Sequence, residues 1–292
     1  MPDPHDGAAR TGASAHSRQS ATRTVGDVTV TAVSDGVLNS GHDVILGIDK
    51  AESERLTGVP YGQTLPLDVN CFLIRHDGRL ILSDVGAGHA MGPTLGKLPQ
   101  SLREIGVEPG AIDTILLTHL HSDHSLGLVD AAGKAVFPTA ELVVHEVEAA
   151  FWLDRAPQDS DSARVARNTK AQRAAVAPYR DRIRRIGDGA VLPSISAILQ
   201  PGHTPGHTNW LIQSKGERLL LWGDIVHLAT VQMPRPDAGL VFDVDPQMAR
   251  QTREHVFDWT ARERLCVAGA HLGYPGFGYV DRAGRGFAFA PA

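Results

Sequence analysis

Thr118-His119-Leu120-His121-Ser122-Asp123-His124-Ser125-Leu126-Gly127 follows directly on Ile112-Asp113-Thr114-Ile115-Leu116-Leu117. The preceding stretch is apolar, rich in β-branched residues and free of breakers. That predicts a short buried strand delivering the histidines onto a loop at its end. In extended backbone, side chains two apart point the same way, so His119 and His121 can grip one ion while Leu120 turns into the core. Asp123 and His124 are adjacent and must diverge, which suits a turn offering them to a second ion. Three His and one Asp within six residues, straight after a buried strand, read as metal donors rather than an accidental polar loop.

His-x-His-x-Asp-His after a strand resembles the signature of the metallo-β-lactamase superfamily. The resemblance implies an α/β (α+β) chain folded as an αββα sandwich, with a metal site at one edge of the two sheets.

Composition sets the outer bounds. A chain of 292 residues can bury a sizeable core, and 42% hydrophobic with 21% charged residues is ordinary for a globular protein. A net charge of −5 gives no general attraction for nucleic acid or an anionic membrane, so neither is expected as a partner. Two cysteines, Cys71 and Cys266, each sit in an apolar run. They are too few for a disulfide framework or a thiolate zinc site and are expected to be small buried residues. No apolar run approaches the ~20 residues needed to span a bilayer. Residues 1–24 are rich in Ala, Ser, Arg, Gly and Thr without an apolar stretch, and read as a disordered tail rather than a secretory signal. One domain over 25–292 and a cytoplasmic location are the corresponding expectations.

Along the chain, Val25 to Val33 alternates as a first strand, and Asp35-Gly36 marks a turn. Residues 37–66 look irregular, with a helical stretch near 49–57, and are a candidate pocket wall or dimer contact. Asn70–Arg75 and Arg79–Ser83 form a hairpin around His76-Asp77-Gly78, and the second strand runs into Asp84. In the family an Asp in that place often sits behind the metal ligands, which makes Asp84 a candidate to orient a ligand imidazole through its other nitrogen. A helix is expected over Leu95–Ile105, a strand over Glu141–His145 and a helix over 145–153. Residues 157–186, basic and polar, predict one or two surface helices, with the pocket rim as a lesser alternative. Strands follow at Ile195–Leu199, Asn209–Gln213, Arg218–Trp222 and Leu265–Gly269, and Asp245 caps a helix over 246–263.

Three more donors recur at strand ends: His203, Asp224 and His271. With four on the loop this makes seven, the number expected when two ions each take three protein ligands and share one carboxylate. By resemblance, His119, His121 and His203 would hold one ion, Asp123, His124 and His271 the other, and Asp224 would bridge. The resemblance also puts the ligand at the first histidine of His203-Thr-Pro-Gly-His207, leaving His207 a structural role. Imidazole and carboxylate donors suit Zn, Mn, Fe or Co, with zinc taken first.

Two such ions would generate a bridging hydroxide that attacks carbonyl carbon or phosphorus. Asp123 could position that nucleophile or carry a proton to the leaving group. From Gly223 to Phe289 the sequence is similar to the methyl parathion hydrolase and lactonase branch, which implies lactone or aryl-ester substrates, side activity on phosphotriesters, and a homodimer. Many quorum-quenching lactonases carry Tyr three residues after the bridging Asp, where this chain has His227. His227 is therefore a candidate to bind the substrate carbonyl or protonate the leaving oxygen. Phe151 and Trp152 are candidate pocket walls, and Phe277 lies in a loop that could close over the site. The alternatives on the same fold are a persulfide dioxygenase-like redox enzyme, a glyoxalase-type thioesterase, a β-lactam hydrolase and a nuclease.

Overall fold

The computed structural model describes residues 21–156, 158 and 162–292. Its first half contributes β1 (Thr22–Val25), β2 (Val28–Ser40), β3 (Ile45–Leu46), β4 (Leu65–His76), β5 (Arg79–Ser83), β6 (Thr114–Leu116), β7 (Glu141–His145) and β8 (Ile183–Ile186). The second half contributes β9 (Gly189–Leu192), β10 (Ile195–Leu199), β11 (Thr208–Ser214), β12 (Glu217–Leu221), β13 (Gly239–Leu240), β14 (Cys266–Ala268), β15 (Phe277–Ala283) and β16 (Gly286–Pro291). One sheet runs β1-β2-β4-β5-β6-β7-β8 and the other β16-β15-β14-β12-β11-β10-β9, while β3 and β13 pair alone.

Alternation along the strands builds the layers. Leu219 and Leu221 face inward with Trp210, Ile212 and Phe277, against Val30, Phe72, Ile81 and Leu116 of the opposite sheet. Leu220 and Trp222 face outward onto Val256 and Phe257 of the helix Pro246–Glu263. On the first sheet, Leu82, Ile115 and Val144 face Leu98, Leu102, Trp152 and Tyr179. Helices therefore cover both outer faces, giving the expected αββα sandwich.

Strands β5 to β8 run parallel, as do β12 and β14, so their C-terminal ends open on one edge. Loops leaving β6, β10, β12 and β14 carry the candidate donors there.

Several expectations are corrected. Thr22–Thr24 pair with β2, so the ordered chain begins before Val25, and residues 1–20 lie outside the described ones. Asp35-Gly36 is a β-bulge within β2 and not a turn. The buried Asp35 carboxylate accepts N–H bonds from Ala87, Gly96 and Leu98, which holds the loop beyond β5 against β2. Ile183–Ile186, read as part of a surface helix, is edge strand β8. Phe277 is core on Phe72, ring centroids 5.7 Å apart, and lies under no lid. Cys71 is buried, but Cys266 is only half-buried, at the start of β14. No helix among the described residues is long and apolar enough to cross a membrane.

Candidate metal centre

The backbone after β6 is pinned from two sides. Asp84, in the left-handed region at φ +58°, accepts the Thr118 N–H at 2.8 Å and the Thr118 hydroxyl at 2.8 Å. Leu120 turns into the core, and its N–H donates to Glu148 at 2.7 Å. His119 and His121 are thereby thrown to the same side. The single turn Ser122–Ser125 then swings Asp123 and His124 around the centre. Gly127 closes the motif where a Cβ would run into the Val85 carbonyl.

All seven sequence-predicted donors converge. His121 Nδ1 lies 2.8 Å from His203 Nε2, and His203 Nε2 lies 3.1 Å from Asp224 Oδ2. Asp224 Oδ1 faces His124 Nε2 at 3.2 Å, and Oδ2 faces His271 at 3.3 Å and His119 at 3.6 Å. Asp123 Oδ2 is 3.4 Å from His271 Nε2. Four groups have donor atoms close enough together to share an ion: His119, His121 and His203; His119, His124 and Asp224; Asp123, His124 and His271; and His203, Asp224 and His227. Asp224 stands between the first and third of these groups.

The donor set suits cations. His119 Nε2 is buried with no hydrogen-bond partner. Burial and the charges of His124 and His203 hold the His119 imidazole well below its ordinary pKa. Burial also works against protonating His203, His124 and His271, yet the surrounding carboxylates outweigh it and lift all three, His203 to about 9 through Asp224 and Asp243. Burial would push Asp224 up, but the ring of His124, His271, His227 and His119 brings it well below the carboxylate range. The electrostatics of the pocket thus favour positive charge, which suits a divalent ion.

Supports behind the donors fix their tautomers. His124 Nδ1 meets Asp84 at 2.9 Å, His203 Nδ1 meets Asp243 at 2.9 Å, and His271 Nδ1 meets the Asp68 carbonyl at 2.8 Å. Each leaves Nε2 aimed inward. Asp84 thus has the place the sequence suggested. His207 is not among the converging groups: its Nε2 accepts the Asp224 N–H at 3.0 Å, so it holds the backbone of the central carboxylate. Gly223, at φ +53°, has no room for a Cβ beside that imidazole.

Sequence reasoning missed Asp243 and Glu148. Buried Glu148 accepts from Leu120 N–H, Trp152 Nε1, the Thr204 hydroxyl and Gly206 N–H, tying the two donor loops together. Its signal is absent from the sequence because Glu146-Val-Glu148 looks like a solvated helix start. Trp152 is buried with its ring edge on His121, and Phe151 stacks under Arg155, so neither walls the pocket. The walls come instead from Leu38, Met91 and Phe242, with Arg164 and Asn168 at the rim, around a cavity of about 160 Å³. Part of each undecided segment, 37–66 and 157–186, is therefore pocket lining. His227 also faces this cavity, with Nε2 3.0 Å from Asp224 Oδ2 and its ring stacked on His271.

Residues 64–286 match the family model of the metallo-beta-lactamase superfamily. The chain belongs to that superfamily. Among solved structures, it resembles a hydrolase of the superfamily, AbOPH, at 32% identity and TM-score 0.87, over 93% of this chain and 96% of that one. It also resembles AidC, a dizinc quorum-quenching lactonase solved in complex with a product, at 25% identity and TM-score 0.86, over 93% and 96% of the two chains. The N-acyl homoserine lactonase AiiA of Bacillus thuringiensis subsp. kurstaki is 23% identical over 231 residues, 72% of this chain and 83% of the relative. The protein is thus a metal-dependent hydrolase of the metallo-β-lactamase superfamily with lactonase relatives.

Proposed function

We propose that this metallo-β-lactamase-fold chain, as one domain, hydrolyses small lactones or aryl esters at a centre of two divalent ions, zinc in the first instance. The observation that carries the reading is the convergence of seven donors, Asp224 among them at the middle, at the floor of an apolar-walled pocket. His119, His121 and His203 would hold one ion, Asp123, His124 and His271 the other, and Asp224 would touch both. Such ions supply a nucleophilic water at neutral pH and polarise the carbonyl.

The chain's own residues do the rest. Asp84, Asp243 and the Asp68 carbonyl keep three imidazoles in the tautomer that points Nε2 inward. Asp123 is the donor nearest solvent, with a side chain 14% exposed, and is placed to pass a proton to the leaving oxygen. His227 bounds the pocket beside Asp224 and orients the substrate carbonyl; burial keeps it neutral, with its pKa lowered to about 4. In the overall reaction the acyl C–O bond breaks, water's oxygen ends on the acyl carbon, and a proton ends on the leaving oxygen. A cavity of about 160 Å³ favours a lactone ring or single aryl group over a long acyl chain. The same attack geometry admits phosphotriesters as side substrates. A homodimer and a cytoplasmic location belong to the same proposal.

The test is elemental analysis of the purified protein together with hydrolysis of dihydrocoumarin, an acyl-homoserine lactone and paraoxon by one metal-loaded sample. Two ions per chain with lactone or ester turnover supports the reading. One iron per chain, oxygen consumption and no hydrolysis would move the assignment to a redox enzyme.

A further inference from the structure

Arg164 and Asn168 lie four residues apart on the helix Ala163–Val176, hence on one face, and both line the rim of the metal pocket. Among the described residues the Arg164 guanidinium makes no hydrogen bond or ion pair; it lies over the Phe242 ring, 6.0 Å from the centroid. Asp243, the carboxylate whose field reaches it, is already engaged by His203. The guanidinium is near enough to His121 for its charge to disfavour protonation there. Asn168 is half-buried, and its amide has no hydrogen-bond partner among the described residues.

Among the described residues no carboxylate pairs with this half-buried cation, so its lost hydration is offset only by the Phe242 ring and the field of Asp243, and a ligand carrying an anion would complete it. The guanidinium fork presents parallel N–H donors matched to two oxygens, and an amide beside it can add a further donor. Leu38 and Phe242 are apolar cover for the carbon atoms between this rim and the metal floor.

We propose that Arg164, assisted by Asn168, anchors an anionic group, in the first instance a carboxylate, at the end of the substrate remote from the bond that breaks. This rests on the hydrolase reading for the reaction but not for the binding. It makes the preferred substrate a short ester or lactone carrying its own negative charge, and the positive rim a selector among neutral and acidic substrates.

The test uses the zinc-loaded full chain and two matched ester pairs. One pair has the charge on the acyl side, 4-nitrophenyl hydrogen glutarate against 4-nitrophenyl pentanoate. The other has it on the leaving side, 4-acetoxybenzoate against its methyl ester. The wild type is expected to favour the charged member of at least one pair. Arg164→Met is expected to raise KM for that member about 10- to 100-fold, the effect of a lost charge-assisted contact, with kcat and the neutral esters changed less than about twofold. Arg164→Lys should restore part of the preference, and Asn168→Ala should cost less than Arg164→Met. Glutarate binding followed by calorimetry should weaken at least about tenfold in Arg164→Met. Equal handling of charged and neutral esters, with glutarate binding untouched by Arg164→Met, would overturn the anchor while leaving the hydrolase intact. No turnover of any ester, with Arg164-dependent glutarate binding retained, would keep the anchor and defeat the hydrolase reading.

Discussion

Exchanging Asp84 for Asn changes one oxygen to an amide nitrogen inside a fully used acceptor. Oδ1 takes the Thr118 N–H, while Oδ2 takes both the Thr118 hydroxyl and His124 Nδ1, all between 2.8 and 2.9 Å. Asn tolerates the φ of +58°, so the backbone need not move. With the amide nitrogen in the Oδ1 position, two N–H groups face each other at Thr118. In the Oδ2 position the Thr118 hydroxyl can rotate to accept, but His124 Nδ1–H then meets another donor. His124 escapes by moving its proton to Nε2, which removes the lone pair aimed at the centre. Loss of such a support typically lowers metal affinity about 10- to 100-fold, or about 1.4–2.8 kcal/mol. The expected result for Asp84→Asn is that loss at the ion proposed for Asp123, His124 and His271. Affinity for the ion proposed for His119, His121 and His203 should change less than about threefold, because Thr118 touches only the far nitrogen of His119. Chelator-competition titration with zinc resolves the two affinities, and nitrogen chemical shifts report the His124 tautomer. Two ions retained at wild-type affinity would refute the reasoning. Equal loss of both would show that the donors act as a single unit.

Glu148→Ala strands buried donors from Leu120, Trp152, Thr204 and Gly206, and should destabilise the fold by about 3 kcal/mol or more in urea unfolding; Glu148→Gln should cost clearly less. If Glu148→Ala is within about 0.5 kcal/mol of wild type, Glu148 does not tie the loops. Tyr179 donates to the Leu128 carbonyl and accepts the Phe137 N–H, and burial pushes its hydroxyl up to about 12. Because the folded pKa lies above the unfolded value of about 10, the native state holds the proton longer, and stability falls as pH rises from about 10 to 12, by about 3 kcal/mol. Tyr179→Phe should flatten that stretch of the stability–pH curve, and an unchanged slope would rule the mechanism out. Zinc at about 100 times its dissociation constant should raise unfolding free energy by about 2.7 kcal/mol over the chelated protein. A concentration-independent Tm would mean that the native state does not bind it preferentially.

The parts of the fold that were legible are those where burial dictates residue type. Ile195–Leu199 and Glu141–His145 appear within the expected bounds, and Asp245 caps the helix Pro246–Glu263 by accepting the Met248 N–H. Edge elements were not legible. β8 carries Arg184 and Arg185, whose guanidinium groups pair with Glu141 and Asp154, so its sequence has the polarity of a solvated helix. Asp35-Gly36 has turn composition, but a bulge uses the same positive φ at Gly36, and the choice between them was made by donors on a loop more than fifty residues away.

The site divides along a similar line. His and Asp at strand ends are side chains suited to metal binding, so the type and place of all seven candidate donors that converge could be read from the chain. A support needs only an acceptor at the right distance, and that acceptor can come from a carboxylate on any neighbouring element or from the backbone. Asp84 was found because it ends the strand beside β6. Asp243 was not, because it lies on the approach to a helix cap, and neither was the Asp68 carbonyl, because no side chain marks it. The Arg164 rim falls between these cases. Its position on a basic helix gave the bland expectation of a solvated face, and only the packed structure shows a guanidinium over the pocket that none of the described residues pairs. Ligands fix what chemistry the fold can do, whereas side chains of this third kind decide on which molecule it is done. The sequence signal is weakest where the substrate's own chemistry would have to complete the contact.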